Sequence, residues 1–180
     1  MKIANLGFDR LYNGPTPSRL DFALELYHGH HEQLLAGEKL TGQLTLLKKL
    51  ASALQDHMRR MNLGPLCARC ATGAGGGCCS LYMAGETDAL QLLMNLLAGV
   101  PVAMVRDDGR ECCYLGESGC IFLFKPIFCL NYNCSHIAVA ASPGEMRELE
   151  RLTGQMLTAQ YQTEKLLQAL LEPIFSVDKN

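Results

Sequence analysis

The sequence predicts a mainly α-helical single domain that holds a cysteine-rich, metal-binding insert with a small β-hairpin. Leucines recur at helical spacing on both sides of the insert, and all nine cysteines lie between residues 67 and 134. The composition, 48% apolar and 19% charged, is typical of a globular protein. A chain of 180 residues can form a hydrophobic core without sulfur chemistry. We therefore expect one domain, residues 1–180, in which flanking helices hold the segment 67–134.

The N-terminal flank, residues 18–63, is predicted to be helical after an irregular lead-in over residues 1–15. Ser18–Asp21 fits a helix capping box, and helical spacing follows it with a break expected near Gly29. Gly64–Pro65 is expected to end the helical flank before the first cysteine. The clearest apolar stripe of this flank occupies one helix face: Leu40, Leu44, Leu47, Ala51, Leu54, Met58 and Met61.

The C-terminal flank, residues 143–172, is predicted to be one long helix. Ser142–Glu145 forms a second capping box, with a proline at the tolerated first position. Pro173 is expected to end the helix. The face predicted to be buried consists of Leu149, Leu152, Met156, Ala159, Thr163, Leu166 and Leu170.

Two shorter elements are predicted within the insert. A helix from about Thr87 to Ala98 is expected to end at Gly99. Residues 102–115 fit a β-hairpin that turns at Asp108–Gly109, a dipeptide suited to a type I′ turn. In that register Arg106 faces Glu111 and Asp107 faces Arg110, and these opposite charges support the pairing. Neighbours on a strand point to opposite faces, so one of the adjacent Cys112 and Cys113 is expected to reach a metal.

The cysteine spacing indicates a metal site. Cys67 and Cys70 have the two-residue spacer with which two sulfurs bind one ion in many zinc and iron–sulfur sites. An odd number of cysteines excludes a complete set of intrachain disulfides. The N-terminus shows no signal-peptide pattern, so we expect a cytoplasmic protein with reduced thiols. The glycine run 73–77 would let backbone amides approach metal-bound sulfur closely.

These residues resemble the YkgJ-type cysteine-cluster family, which is described as a zinc- or iron-chelating domain. The resemblance covers about residues 67–134 and rests on the following matches: Cys67-x2-Cys70, a Gly-rich lead into Cys78-Cys79, Cys113-Tyr-Leu, Gly119-Cys120, Lys125-Pro126 before Cys129, and Cys134. The gap before Cys78 is longer than in the family, and Lys125 replaces an arginine. The ligand set that the resemblance implies is Cys67, Cys70, Cys78, Cys79, Cys113, Cys120, Cys129 and Cys134.

Cys112 is left over by this set, in agreement with the strand argument. Eight sulfurs are twice what one tetrahedral zinc needs. Three arrangements would account for eight cysteines: two ions, one iron–sulfur cubane with spare or catalytic thiols, or one zinc with four cysteines that do not bind it. His136 is a further candidate ligand. The expected cofactor is therefore zinc or iron, the latter alone or in an iron–sulfur cluster.

The predicted function is metal binding in an unidentified process. The alternative is an iron–sulfur enzyme or enzyme component, methyltransferase-like or redox, because related cysteine clusters occur within flagellin lysine methylases. A dithiol function of Cys67 and Cys70 is a third reading. No catalytic arrangement stands out, so enzymatic activity is left open. A net charge of −2 and the lack of a long apolar run predict no nucleic-acid and no membrane partner. A protein partner stays open.

Other conspicuous residues are interpreted as structural. His57 is assigned to a solvated helix face. The run His28, His30 and His31 is placed on the surface at a helix break. The methionines at helical spacing are interpreted as core filler: Met58, Met61, Met94 and Met156.

Overall fold

The computed structural model describes residues 5–72, 79–131 and 134–177. These residues are mainly helical and include a small antiparallel sheet, which confirms the predicted fold class. In chain order the elements are α1 (Asn5–Tyr12), α2 (Thr16–Leu35), α3 (Glu38–Arg60), α4 (Leu63–Thr72), α5 (Leu81–Gly85), α6 (Ala89–Leu97), β1 (Leu115–Gly116), β2 (Gly119–Cys120), α7 (Ile127–Asn131), α8 (Ser135–Ala140) and α9 (Pro143–Val177).

The core lies between the flanking helices, with the most extensive packing between α3 and α9 and the next between α2 and α6. The predicted stripe of α3 is buried from Leu40 to Leu54. In α9 the buried face follows the prediction as far as Thr163 and then continues through Leu167 and Leu171. Leu166 and Leu170 are not buried, because a straight helix of 3.6 residues per turn drifts away from a strict seven-residue repeat.

Both ends of the chain are more helical than predicted, because α1 and the last turn of α9 pack on each other. The Phe175 ring lies edge-on to Phe8, with 5.2 Å between centroids, and stacks on Phe22 at 6.1 Å. A Cβ on Gly7 would collide with Phe175, so this glycine permits close packing instead of breaking the helix. Pro173 removes one backbone donor, yet α9 continues to Val177. The irregular lead-in and the stop at Pro173 were wrong predictions.

The start and the continuity of α2 also differ from the prediction. The helix begins at Thr16 with Pro15 in the capping position and with a second proline in its first turn, where proline's missing amide costs nothing. Ser18 therefore lies inside the helix and does not form the predicted capping box. The helix runs through Gly29 without a break, because its buried face continues to Leu34.

A capping box does form at the start of α9, and it binds the end of α3. The backbone amide and the hydroxyl of Ser142 donate to Glu145 Oε2 at 2.8 and 2.7 Å. His57 is buried, and its Nε2 lies 2.9 Å from the carbonyl oxygen of Glu145. The expectation of a solvated His57 was wrong, since this imidazole joins the two best-packed helices.

The first cysteine lies on a helix that the sequence did not predict. The chain breaks after α3 at Asn62, which has a φ of 56°. Gly64 and Pro65 were expected to stop the helix, but they lie in the first turn of α4, where a proline is tolerated. A Cβ on Gly64 would stand 2.7 Å from the carbonyl oxygen of Ser118. Glycine is therefore what lets α4 approach the β1–β2 turn.

The short helix α6 agrees with its prediction, whereas the hairpin over residues 102–115 does not. Asp108 Oδ1 accepts from the amides of Arg110 and Glu111 at 2.9 Å each, so a turn forms where expected, and Arg106 does pair with Glu111. However, Glu111 forms its β-bridge with Ser80. The two-stranded sheet lies further on, where β1 and β2 pair antiparallel. The segment around Ser80 thus takes the backbone partners of residues 110–112, while one backbone bond, from the amide of Val105 to the carbonyl of Cys113 at 2.8 Å, still joins the two predicted strand segments.

The amide of Asn95 ties α6 to the backbone that follows β2. This residue is fully buried, and its Oδ1 accepts from the amides of Leu123 and Phe124 at 3.0 Å each. Its Nδ2 donates to the carbonyls of Gln91 and Phe124 at 3.0 and 2.9 Å. Gln91 Nε2 also donates to Phe124, and Gln160 of α9 donates to Gln91 Oε1 at 2.8 Å. Side-chain amides thus hold a segment that lacks regular structure.

We expect Asn95→Ala to lower the free energy of unfolding by about 2–4 kcal/mol, because it leaves buried amides of the 123–124 backbone without acceptors. Urea denaturation measures the change. Asn13→Ala is the control, since Asn13 makes one exposed hydrogen bond with Asp9 and should cost under about 0.5 kcal/mol. Equal losses in the two variants would contradict the role given to Asn95.

Candidate metal centre

A cavity of about 630 Å³ lies where the end of α3, the start of α4 and the β1–β2 turn meet. Its wall also includes residues of α5 and α7 and the segment before β1. Five cysteines that are spread over more than sixty sequence positions line this one space: Cys67, Cys79, Cys112, Cys120 and Cys129. The fold therefore brings together most of the cysteines whose side chains the structure describes.

Each of these cysteines is positioned by a different element. Cys67 lies on α4, Cys120 on β2 and Cys129 on α7. The backbone amide of Cys112 donates to the carbonyl of Cys79 at 2.9 Å, as part of the bridge between Ser80 and Glu111. The rearranged strand pairing is thus what sets Cys79 beside Cys112.

The adjacent Cys112 and Cys113 lie in different surroundings, although neither belongs to a strand. Cys112 lines the cavity, whereas Cys113 is 5% exposed and belongs to the hydrophobic core. Its carbonyl accepts from the amide of Val105 at 2.8 Å. The resemblance-based ligand set includes Cys113 and omits Cys112, and the structure gives the cavity position to Cys112.

Of the remaining sequence-predicted ligands, the described Cys134 and His136 do not line the cavity. Cys78 and the side chain of Cys70 lie outside the described residues, as does the glycine run 73–77. Cys134 caps α8 and packs against the core, and His136 is exposed on the same helix. Within residues 5–72, 79–131 and 134–177, no three His, Cys, Asp or Glu side chains stand close enough to hold a metal ion.

Burial dominates the electrostatics of the cavity thiols. It raises the pKa of Cys112 to about 11, and neighbouring charge on Cys120 acts in the same direction. Burial also raises the pKa of Cys120, while the Lys125 ammonium group opposes that rise. These thiols are therefore protonated at neutral pH in the metal-free protein, and a bound cation would have to displace their protons.

Two methionines among the described residues also line the cavity. Met58 comes from the end of α3, and Met83 comes from α5. Lys125 Nζ lies 3.7 Å from Met58 Sδ, and the charge of Lys125 opposes the rise in the Cys120 pKa. The interpretation of Met58 as core filler missed this position, and no spacing signal marked Met83.

Comparisons of the chain with protein-family models, with characterised proteins and with solved structures find no match. In the ranges that the structure describes, no helix combines the length and the apolar character needed to cross a membrane.

The high pKa of Cys112 predicts how its alkylation depends on pH. Only thiolate reacts, so in the reduced, metal-free protein the iodoacetamide rate at Cys112 should rise about tenfold per pH unit up to pH 10. Site-resolved mass spectrometry measures this rate. Ser52→Cys provides the comparison, because position 52 is exposed and an ordinary thiol should level off near pH 9. A plateau at Cys112 below pH 9 would contradict its desolvation.

Proposed function

We propose that this chain is a metal-binding protein whose cavity cysteines hold zinc or iron. The observation that carries the proposal is the convergence of Cys67, Cys79, Cys112, Cys120 and Cys129 on one cavity. Scattered cysteines used as small hydrophobes would have no reason to share a wall. The resemblance to the YkgJ-type family supports the same conclusion.

The chemistry of the wall fits a thiolate-bound cation. Zinc and iron–sulfur centres both take cysteine sulfur, and the Lys125 ammonium would offset part of the negative charge of a multi-thiolate complex. Cys70 and Cys78 are further donor candidates beside the cavity in sequence. A cavity of about 630 Å³ exceeds the space of one ion, so a polynuclear or iron–sulfur centre is the second candidate, as part of an enzyme or electron-transfer component.

We also propose a cytoplasmic location, because a cysteine-lined metal site needs reduced thiols. A protein partner would be the recipient or the source of the metal. The proposed location and the proposed partner both depend on the metal site, so the absence of metal binding would refute them as well.

The test compares Cys112→Ser with Cys113→Ser in protein purified without air. We expect Cys112→Ser and Cys120→Ser to weaken metal binding about tenfold or more, because each removes a cavity donor. Metal analysis, visible absorption and zinc titration against a chelator dye measure occupancy and affinity. Colourless protein with stoichiometric zinc would exclude the iron–sulfur candidate.

Cys113→Ser is the matched control, since it changes the same atom one residue away in the core. It should leave affinity within about twofold while lowering stability. If Cys113→Ser releases the metal and Cys112→Ser retains it, the resemblance-based ligand set is correct and the cavity assignment is wrong. Folded protein that binds neither zinc nor iron would refute the proposed function.

A further inference from the structure

The cavity wall offers thioether sulfur as well as thiol sulfur. Met58 and Met83 approach it from separate helices, one at the end of α3 and one on α5, and both line the same space as the cysteines. Both side chains are only partly buried. In contrast, Met94 and Met156 are 0% and 1% exposed, within the helical core.

The thioether of Met58 lies beside a cation. Its Sδ is 3.7 Å from Lys125 Nζ, and Lys125 lines the same cavity as Cys120 and Cys129. A thioether with a cationic neighbour therefore shares the cavity wall with thiol donors.

Thioether sulfur distinguishes between metals. Zinc sites take cysteine, histidine and carboxylate ligands, whereas Cu(I) is the ion for which thioether and thiolate ligands together are selective. Cu(I) bound by two thiolates carries a net negative charge, which the Lys125 ammonium group would offset.

We propose that the cavity binds Cu(I), with the Met58 and Met83 thioethers completing a coordination that the cysteine sulfurs begin. The inference rests on the proposed metal site and adds a soft monovalent cation to zinc and iron, the ions that the cysteines alone would take. Methionine here has a ligand role that leucine of similar volume would not supply.

The experiment measures Cu(I) affinity anaerobically by competition with bicinchoninate, and zinc affinity of the same reduced full-length preparations with a chelator dye. We expect Met58→Leu and Met83→Leu each to weaken Cu(I) binding and the double variant to weaken it at least tenfold. Zinc affinity should change less than twofold, because leucine conserves the volume of methionine. Circular dichroism confirms that each variant is folded.

Met94→Leu is the control, since it removes a core thioether away from the cavity and should alter neither affinity. Unchanged Cu(I) affinity in the double variant, with Cys120→Ser weakening both metals, would overturn the thioether inference and leave the proposed function standing. Equal weakening of zinc and Cu(I) by the double variant would also overturn it, because packing alone would explain that result. If the wild-type protein binds zinc or iron but not Cu(I), this inference fails and the proposed function stands; if it binds none of the three, both proposals fail.

Discussion

The hydrogen bonds of Asn95 are the constraint on which the geometry of the site depends. The segment 121–124 leaves β2 without regular secondary structure, and its buried amides need acceptors from outside the backbone ladder. Asn95 supplies them, and Gln91 and Gln160 extend the contact to α9. Cys120 and Lys125 flank this segment and line the cavity. The side-chain amides of α6 and α9 therefore help to position both residues.

Local patterns predicted the helices that bury one apolar face. The α3 stripe and the Ser142–Glu145 box follow from interactions within a few residues, so the sequence was sufficient for them. The errors arose where a distant contact decided the outcome. Phe175 packs against Gly7 within α1, and Ser118 approaches Gly64 in the first turn of α4, so each position needs glycine inside a helix. From the sequence alone, a glycine that ends a helix looks the same as a glycine that permits close packing inside one.

The site was predictable in composition but not in arrangement. The clustering of cysteines predicted that several would share one site, yet which of Cys112 and Cys113 lines the cavity depended on tertiary contacts. Glu111 bridges Ser80, and the carbonyl of Cys113 accepts from the amide of Val105. Local spacing does not determine both contacts. Met83 carried no local signal, because its place on the cavity wall depends on where α5 lies.

The cavity wall borders the helical core without forming it. The core between α3 and α9 is dominated by leucine side chains, and the cavity cysteines Cys112 and Cys120 pack against its edge. Small zinc domains fold only with their metal, because the ion takes the place of a hydrophobic core. This chain has a hydrophobic core of its own. Partial burial raises the pKa of Cys112 to about 11, so its side chain is uncharged at neutral pH. The proposed metal would therefore add to a fold that has its own core, and we expect its removal to leave the helices folded.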